Sequence, residues 1–162
     1  MIKNIFAALA VVAVLASCKS QSAFKYNQDF VGMEKSLTPA AEKAQVDMQR
    51  YMMAKQFDSI AVVATQMENK VEEKIAEIKK MPAPDANGGE KFKASVIGYF
   101  GYMKSLYTTY KDLGNAKTDE ARQAEALKLQ DIAMQGEAVI RTIKVAQQEY
   151  AKANNFRIEE QH

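Results

Sequence analysis

Few side chains in this 162-residue chain have types and spacings that could do chemistry. The single histidine is His162, the last residue, so an imidazole base for a serine or threonine nucleophile has no other source. The same shortage rules out the Glu-x-x-His pairs of a di-iron bundle. Cys18 is the only cysteine. One thiol makes no internal disulfide, no Cys-x-x-Cys-His haem attachment and no ordinary zinc set. Ser95 and Ser105 lie near lysines that could replace the base, but lysines lie near almost every residue here. Of nine methionines, Met48, Met52 and Met53 stand close together, and Met48 and Met52 share a helix face. Such thioethers can hold Cu(I). Without a dense Met-x-Met repeat they read as adaptable core filler. Glu68, Glu72 and Glu73 are the one carboxylate group that could hold an oxygen-ligated cation. Tyr99, Tyr102, Tyr107 and Tyr110 are either core phenols reaching water at the edge of a fold or the lining of a cleft for an apolar or sugar-like ligand. The expectation is a protein with no catalytic residues, no metal and no cofactor.

A different chemistry is written at Leu15-Ala16-Ser17-Cys18. Lys3 gives a short charged start, Ile5 to Ala16 is a run of only apolar residues, and small residues and the cysteine follow. That run is too short to span a bilayer, and the order predicts a secretory signal peptide over residues 1–17. The four residues ending at Cys18 match the lipobox at every position and resemble the bacterial lipoprotein class. The resemblance implies that Cys18 is lipidated, becomes residue one after cleavage and is acylated on its amine. Several acyl chains meet the need for more than one fatty tail, at about 0.8 kcal/mol per buried methylene. The competing reading is a cysteine that happens to follow an ordinary signal peptide. Lys19 stands where the inner-membrane retention signal has Asp, which in a two-membrane cell directs the protein to the outer membrane.

Removing the signal leaves one domain's worth of chain, long enough to bury a core without staples. Lysine and arginine total 22 against 20 acidic residues, with the signs interspersed, so no basic stripe marks a nucleic-acid face. Tryptophan is absent, glycine totals 7 and proline 3, and Ala, Lys, Glu, Gln and Met dominate the text. Those are helix formers.

Four amphipathic segments can be read from their periodicity. The first, Ala23 to Ala54, carries Tyr26, Phe30, Met33, Leu37, Ala41, Ala44, Met48 and Met52 in steps of three or four straight through Pro39. That register predicts one kinked helix; the alternative uses Thr38 as an N-cap with Pro39 at the first helical position. Asp58 is the expected cap of a second helix reaching Met81. Pro82 to Gly89 is the clear loop. A third helix, Glu90 to Leu113, should end at Gly114-Asn115. Thr118 should cap a fourth, along Leu129, Ile132, Gly136, Val139, Ile143, Ala146 and Tyr150 to an Asn154-Asn155 stop. Short links make these helices antiparallel neighbours, so the predicted fold is an all-α, up-down-up-down four-helix bundle. The expected divisions are 1–17 signal peptide, 18–22 lipidated cysteine and short extended tether, 23–155 bundle and 156–162 tail.

The stretches Tyr26-Asn27-x-x-Phe30-Val31, Glu90-Lys91-Phe92-Lys93-Ala94 and Val145-Ala146-Gln147-Gln148-Glu149-Tyr150-Ala151 resemble a family of small, uncharacterised bacterial surface lipoproteins with a helical domain. The resemblance implies a lipid-anchored helical protein and supplies no catalytic residues. One further pattern is readable on the third helix, whose core stripe leaves Ala94, Ile97, Gly98, Gly101, Ser105 and Thr108 facing away. Small residues one turn apart let another backbone approach, so this strip is an expected contact face for a second copy or a partner; the competing reading is a tolerated imperfection or a local kink. The function expected from all of this is a non-enzymatic, lipid-anchored envelope module held at the membrane by its N-terminal lipid, with no nucleic-acid partner. The alternative is a carrier of a hydrophobic small molecule inside the bundle.

Overall fold

At Pro39 the sequence allows two solutions, and the computed structural model, which describes residues 18–158, takes one of them. Helix α1 runs unbroken from Cys18–Met53 with Pro39 inside it. The proline has no N–H for the Lys35 carbonyl, and both residues are exposed, so water can take that acceptor. Thr38 is therefore not a helix start. Its hydroxyl donates back to the Glu34 carbonyl at 3.4 Å.

The start of α1 corrects an expectation. Cys18 to Ser22 is helical, not an extended tether, because Ser20 and Ala23 are already buried and Lys19 pairs with Asp85 at 3.2 Å. The signal peptide over 1–17 and the terminal His162 lie outside the described residues.

Helix α2 is Phe57–Lys80, α3 is Gly89–Asn115 and α4 is Asp119–Ala153. Asp58 does not cap α2: the helix begins one residue earlier, behind Gln56, and Asp58 sits in the first turn, where its charge favours the N-terminal dipole. Thr118 does cap α4, its hydroxyl accepting from the Ala121 N–H at 3.1 Å. Gly114-Asn115 ends α3 as the sequence predicts, Asn115 being its last residue.

The two longest helices, α1 and α4, close in the same way. After α1, Lys55 is left-handed (φ 55°) and the Gln56 N–H returns to the Tyr51 carbonyl at 2.9 Å. After α4, Asn155 is left-handed (φ 57°) and the Phe156 N–H returns to the Ala151 carbonyl at 3.1 Å. This six-to-one closure satisfies orphan carbonyls and turns the chain back on the helix.

The four helices form an antiparallel bundle with α3 at its centre of contact, packed against α2 and α4. Helix α1 packs mainly on α2 and only lightly on α4. The core is built from the expected stripes, including Phe30, Leu37, Ile60, Val71, Ile78, Phe92, Val96, Met103 and Ile143. Helix α4 uses only part of its length. Its buried residues are Gly136, Ile143, Ala146, Gln147, Tyr150 and Ala151, so the half from 119 to 135 has no fully buried residue, and Leu129 and Ile132 are only half-buried.

Candidate functional site

The end of the bundle that carries Cys18 also gathers the α2–α3 link and the end of α4. Cys18 itself is exposed. The link is clamped to the α4 terminus by two asparagines: the Asn87 N–H donates to Asn154 Oδ1 at 3.0 Å, and Asn154 Nδ2 donates back to the Asn87 carbonyl at 2.9 Å. Above the clamp lies an aromatic cluster. Phe92 stacks on Tyr150 at 4.6 Å between centroids, with Phe30 edge-on to Phe92 at 5.5 Å and Tyr26 edge-on to Phe30 at 4.5 Å.

Phe156 was expected in a free tail. Instead it is 4% exposed, edge-on to Phe24 and Tyr150 at 5.7 and 5.8 Å. The left-handed Asn155 is what folds it back. The fold therefore extends past residue 155.

A shallow cleft of about 190 Å³ opens between the start of α3 and the end of α4, floored by Phe92 and Tyr150. Its rim is the Lys91–Glu149 ion pair, 2.8 Å across. Sites for drug-sized ligands run from about 300 Å³ upward. The Tyr26 and Tyr150 hydroxyls are buried and make no hydrogen bond among the described residues. Burial first and Glu90 second push the Tyr26 phenol up to about 12. It stays protonated and has no basic role at neutral pH.

The four α3 tyrosines are not brought into one cleft. Tyr99 is 1% exposed and donates to Glu34 Oε1 at 2.6 Å, a bond from α3 to α1 through the core. Burial, then the Glu34 carboxyl, pushes its phenol far above the ordinary range, so it serves as a fixed donor. Tyr102 lies over Gly136, where a Cβ would stand 2.6 Å from its hydroxyl oxygen. Tyr107 is buried in the core, and Tyr110 is half-buried against it. These rings fill the bundle, each against different neighbours.

The residues missed by sequence reasoning are Asn27, Glu34 and Gln147, exposed by 0, 2 and 2%. Gln147 Nε2 donates to Asn27 Oδ1 at 2.7 Å, joining α4 to α1 just as Tyr99 joins α3 to α1. A signal was present for Glu34. It stands four residues after Phe30 and three before Leu37, on the core stripe itself.

Two of the three carboxylates considered for a cation, Glu68 and Glu72, are otherwise engaged. Glu68 accepts from Lys111 at 2.6 Å and from Thr108 at 2.7 Å, and Lys104 pairs with Glu72. Burial raises the Glu68 carboxyl, but the Lys111 and Thr108 hydrogen bonds outweigh it and hold the group below its ordinary value. Among the described residues no three His, Cys, Asp or Glu side chains form a metal-sized group.

The small-residue strip of α3 is divided. Ala94 and Gly98 are exposed, Gly101 and Ser105 are half-buried, and the space beyond both glycines is open. Ile97 packs against the core, and Thr108 is turned to α2 by its bond to Glu68.

No family model, no curated protein and no solved structure matches this chain. Among the described residues, no helix is long and apolar enough to cross a membrane.

Proposed function

We propose that this chain is a lipid-anchored, non-enzymatic protein of the bacterial envelope, held by acyl chains on Cys18, whose helical bundle acts as an interaction or structural module. The observation that carries the reading is the lipobox Leu15-Ala16-Ser17-Cys18, which ends on an exposed cysteine in the first turn of α1. Attachment there leaves no slack. At 1.5 Å per helical residue, the bundle begins at the lipid itself and stands against the headgroups. The asparagine clamp and the aromatic cluster make that end rigid, which suits an anchor point. Lys19 in the second mature position supports the outer membrane where there are two.

The test is fractionation of cells expressing Cys18→Ala. The variant should leave the membrane fraction and lose incorporation of a labelled fatty acid. Membrane retention of the variant through a high-salt wash would overturn the proposal and point to an uncleaved N-terminal helix.

A further inference from the structure

We infer that the outer face of α4 pairs with the same face of a second copy of this chain, antiparallel and centred on the level of Gly136. Leu127, Met134 and Val145 are exposed by 58, 66 and 46%, and all three stand on one stripe of α4, opposite the face that packs on α3. Leu127 and Val145 are 18 residues, or five full turns, apart. Between them the stripe continues through Asp131, Ala138 and Arg141, giving steps of four and three throughout. That is the spacing of a two-helix seam. Asp131 and Arg141 are both exposed, and neither forms an ion pair among the described residues, whereas Lys128, Glu125 and Arg122 on the same helix do.

The order of side chains decides the partner and its direction. Turned end for end about the level of Gly136, the stripe meets itself as Leu127 on Val145, Asp131 on Arg141 and Met134 on Ala138, each pair occurring twice. A parallel pairing would set Asp131 on Asp131 and Arg141 on Arg141, like charges that repel. Only the antiparallel arrangement is self-complementary, as a two-fold contact requires. Gly136 is also the midpoint of α4, so the two helices overlap along their whole length. The cost is Glu137, which lies on the flank beside its own copy near the axis.

The seam is about 27 Å long at 1.5 Å per residue, less than a standard interface offers. Dilute protein should pair weakly, and confinement to a surface should promote pairing through effective concentration. In the pair the two Cys18 ends lie at opposite ends of a rod about 50 Å long. Both anchors reach one membrane when the rod lies along it.

The experiment uses the full chain in cells of its own kind. Differently tagged copies carrying Leu127→Cys and Val145→Cys are expressed together and oxidised mildly. A disulfide between unlike copies, absent when either variant is expressed alone, is the expected result. Cross-linking within the Leu127→Cys copies alone means a parallel pair and overturns the inference, as does capture of a different protein with no link between copies. Wild type reports on Cys18: links through it would count against lipidation and leave the α4 test readable. In the same background, Asp131→Arg or Arg141→Asp should lower the yield about tenfold, and the double exchange should restore it. Unchanged yield in the single variants, or no recovery in the double, overturns the inference; circular dichroism on each confirms that the helices persist.

Discussion

Tyr99 and Glu34 show what one buried bond contributes in an otherwise apolar interior. Their 2.6 Å contact links α3 to α1 where neither group reaches water. Tyr99→Phe removes the donor and keeps the ring, so the loss reports on the bond. It should cost about 1–3 kcal/mol in a urea titration, and a change below a few tenths would mean that the bond adds nothing. Glu68 gives a second residue-level prediction with a sign. Its folded value lies below its ordinary 4.5, so its stabilising contribution is fully present above that pH and is lost as pH falls through the folded value. Glu68→Gln should therefore be less stable than wild type at pH 7 by roughly 1 kcal/mol, and the gap should narrow as pH falls below 4.5. A gap that is the same at pH 7 and pH 3 would contradict the account.

At the scale of elements, the two glycines Gly101 and Gly114 of α3 separate propensity from packing. A Cβ on Gly114 would stand 2.5 Å from the Ala61 nitrogen and 2.7 Å from the Phe57 carbonyl, because the start of α2 crosses α3 there. Gly114→Ala should cost about 1–3 kcal/mol through overpacking. Gly101 has open space beyond it, so Gly101→Ala should stabilise the helix by up to about 1 kcal/mol. Thermal melts of the two variants should move in opposite directions; a shift in the same direction refutes the packing argument. The sequence showed the helices because their stripes repeat every three or four residues, a property of the chain alone. It did not show why Gly114 is glycine, since the reason lies on another helix. Asn27 and Gln147 were hidden likewise: each polar group is answered in the core by the other, 120 residues away.

At the scale of the whole molecule, the two ends of the bundle differ. From Gly136 towards Cys18, α1, α3 and α4 share aromatic packing and the asparagine clamp ties the α2–α3 link to the end of α4; on the other side, no residue of the 119–135 half of α4 is fully buried. Sequence periodicity extended the core stripe to Leu129 and Ile132, but how closely α1 approaches α4 depends on packing that no stripe encodes. The Asn155 turn was legible as a stop and not as a return, so Phe156 was assigned to a tail. The clamped end is the one bearing Cys18, and the account depends most on what that residue carries. Mass spectrometry of the N-terminal peptide, from protein extracted out of its own membranes, tests this directly. The account predicts that residues 1–17 are absent and that the peptide begins at Cys18 with a diacylglyceryl group on the sulfur and a fatty acyl group on the amine. A peptide that begins at Met1, or at an unmodified Cys18, would contradict it.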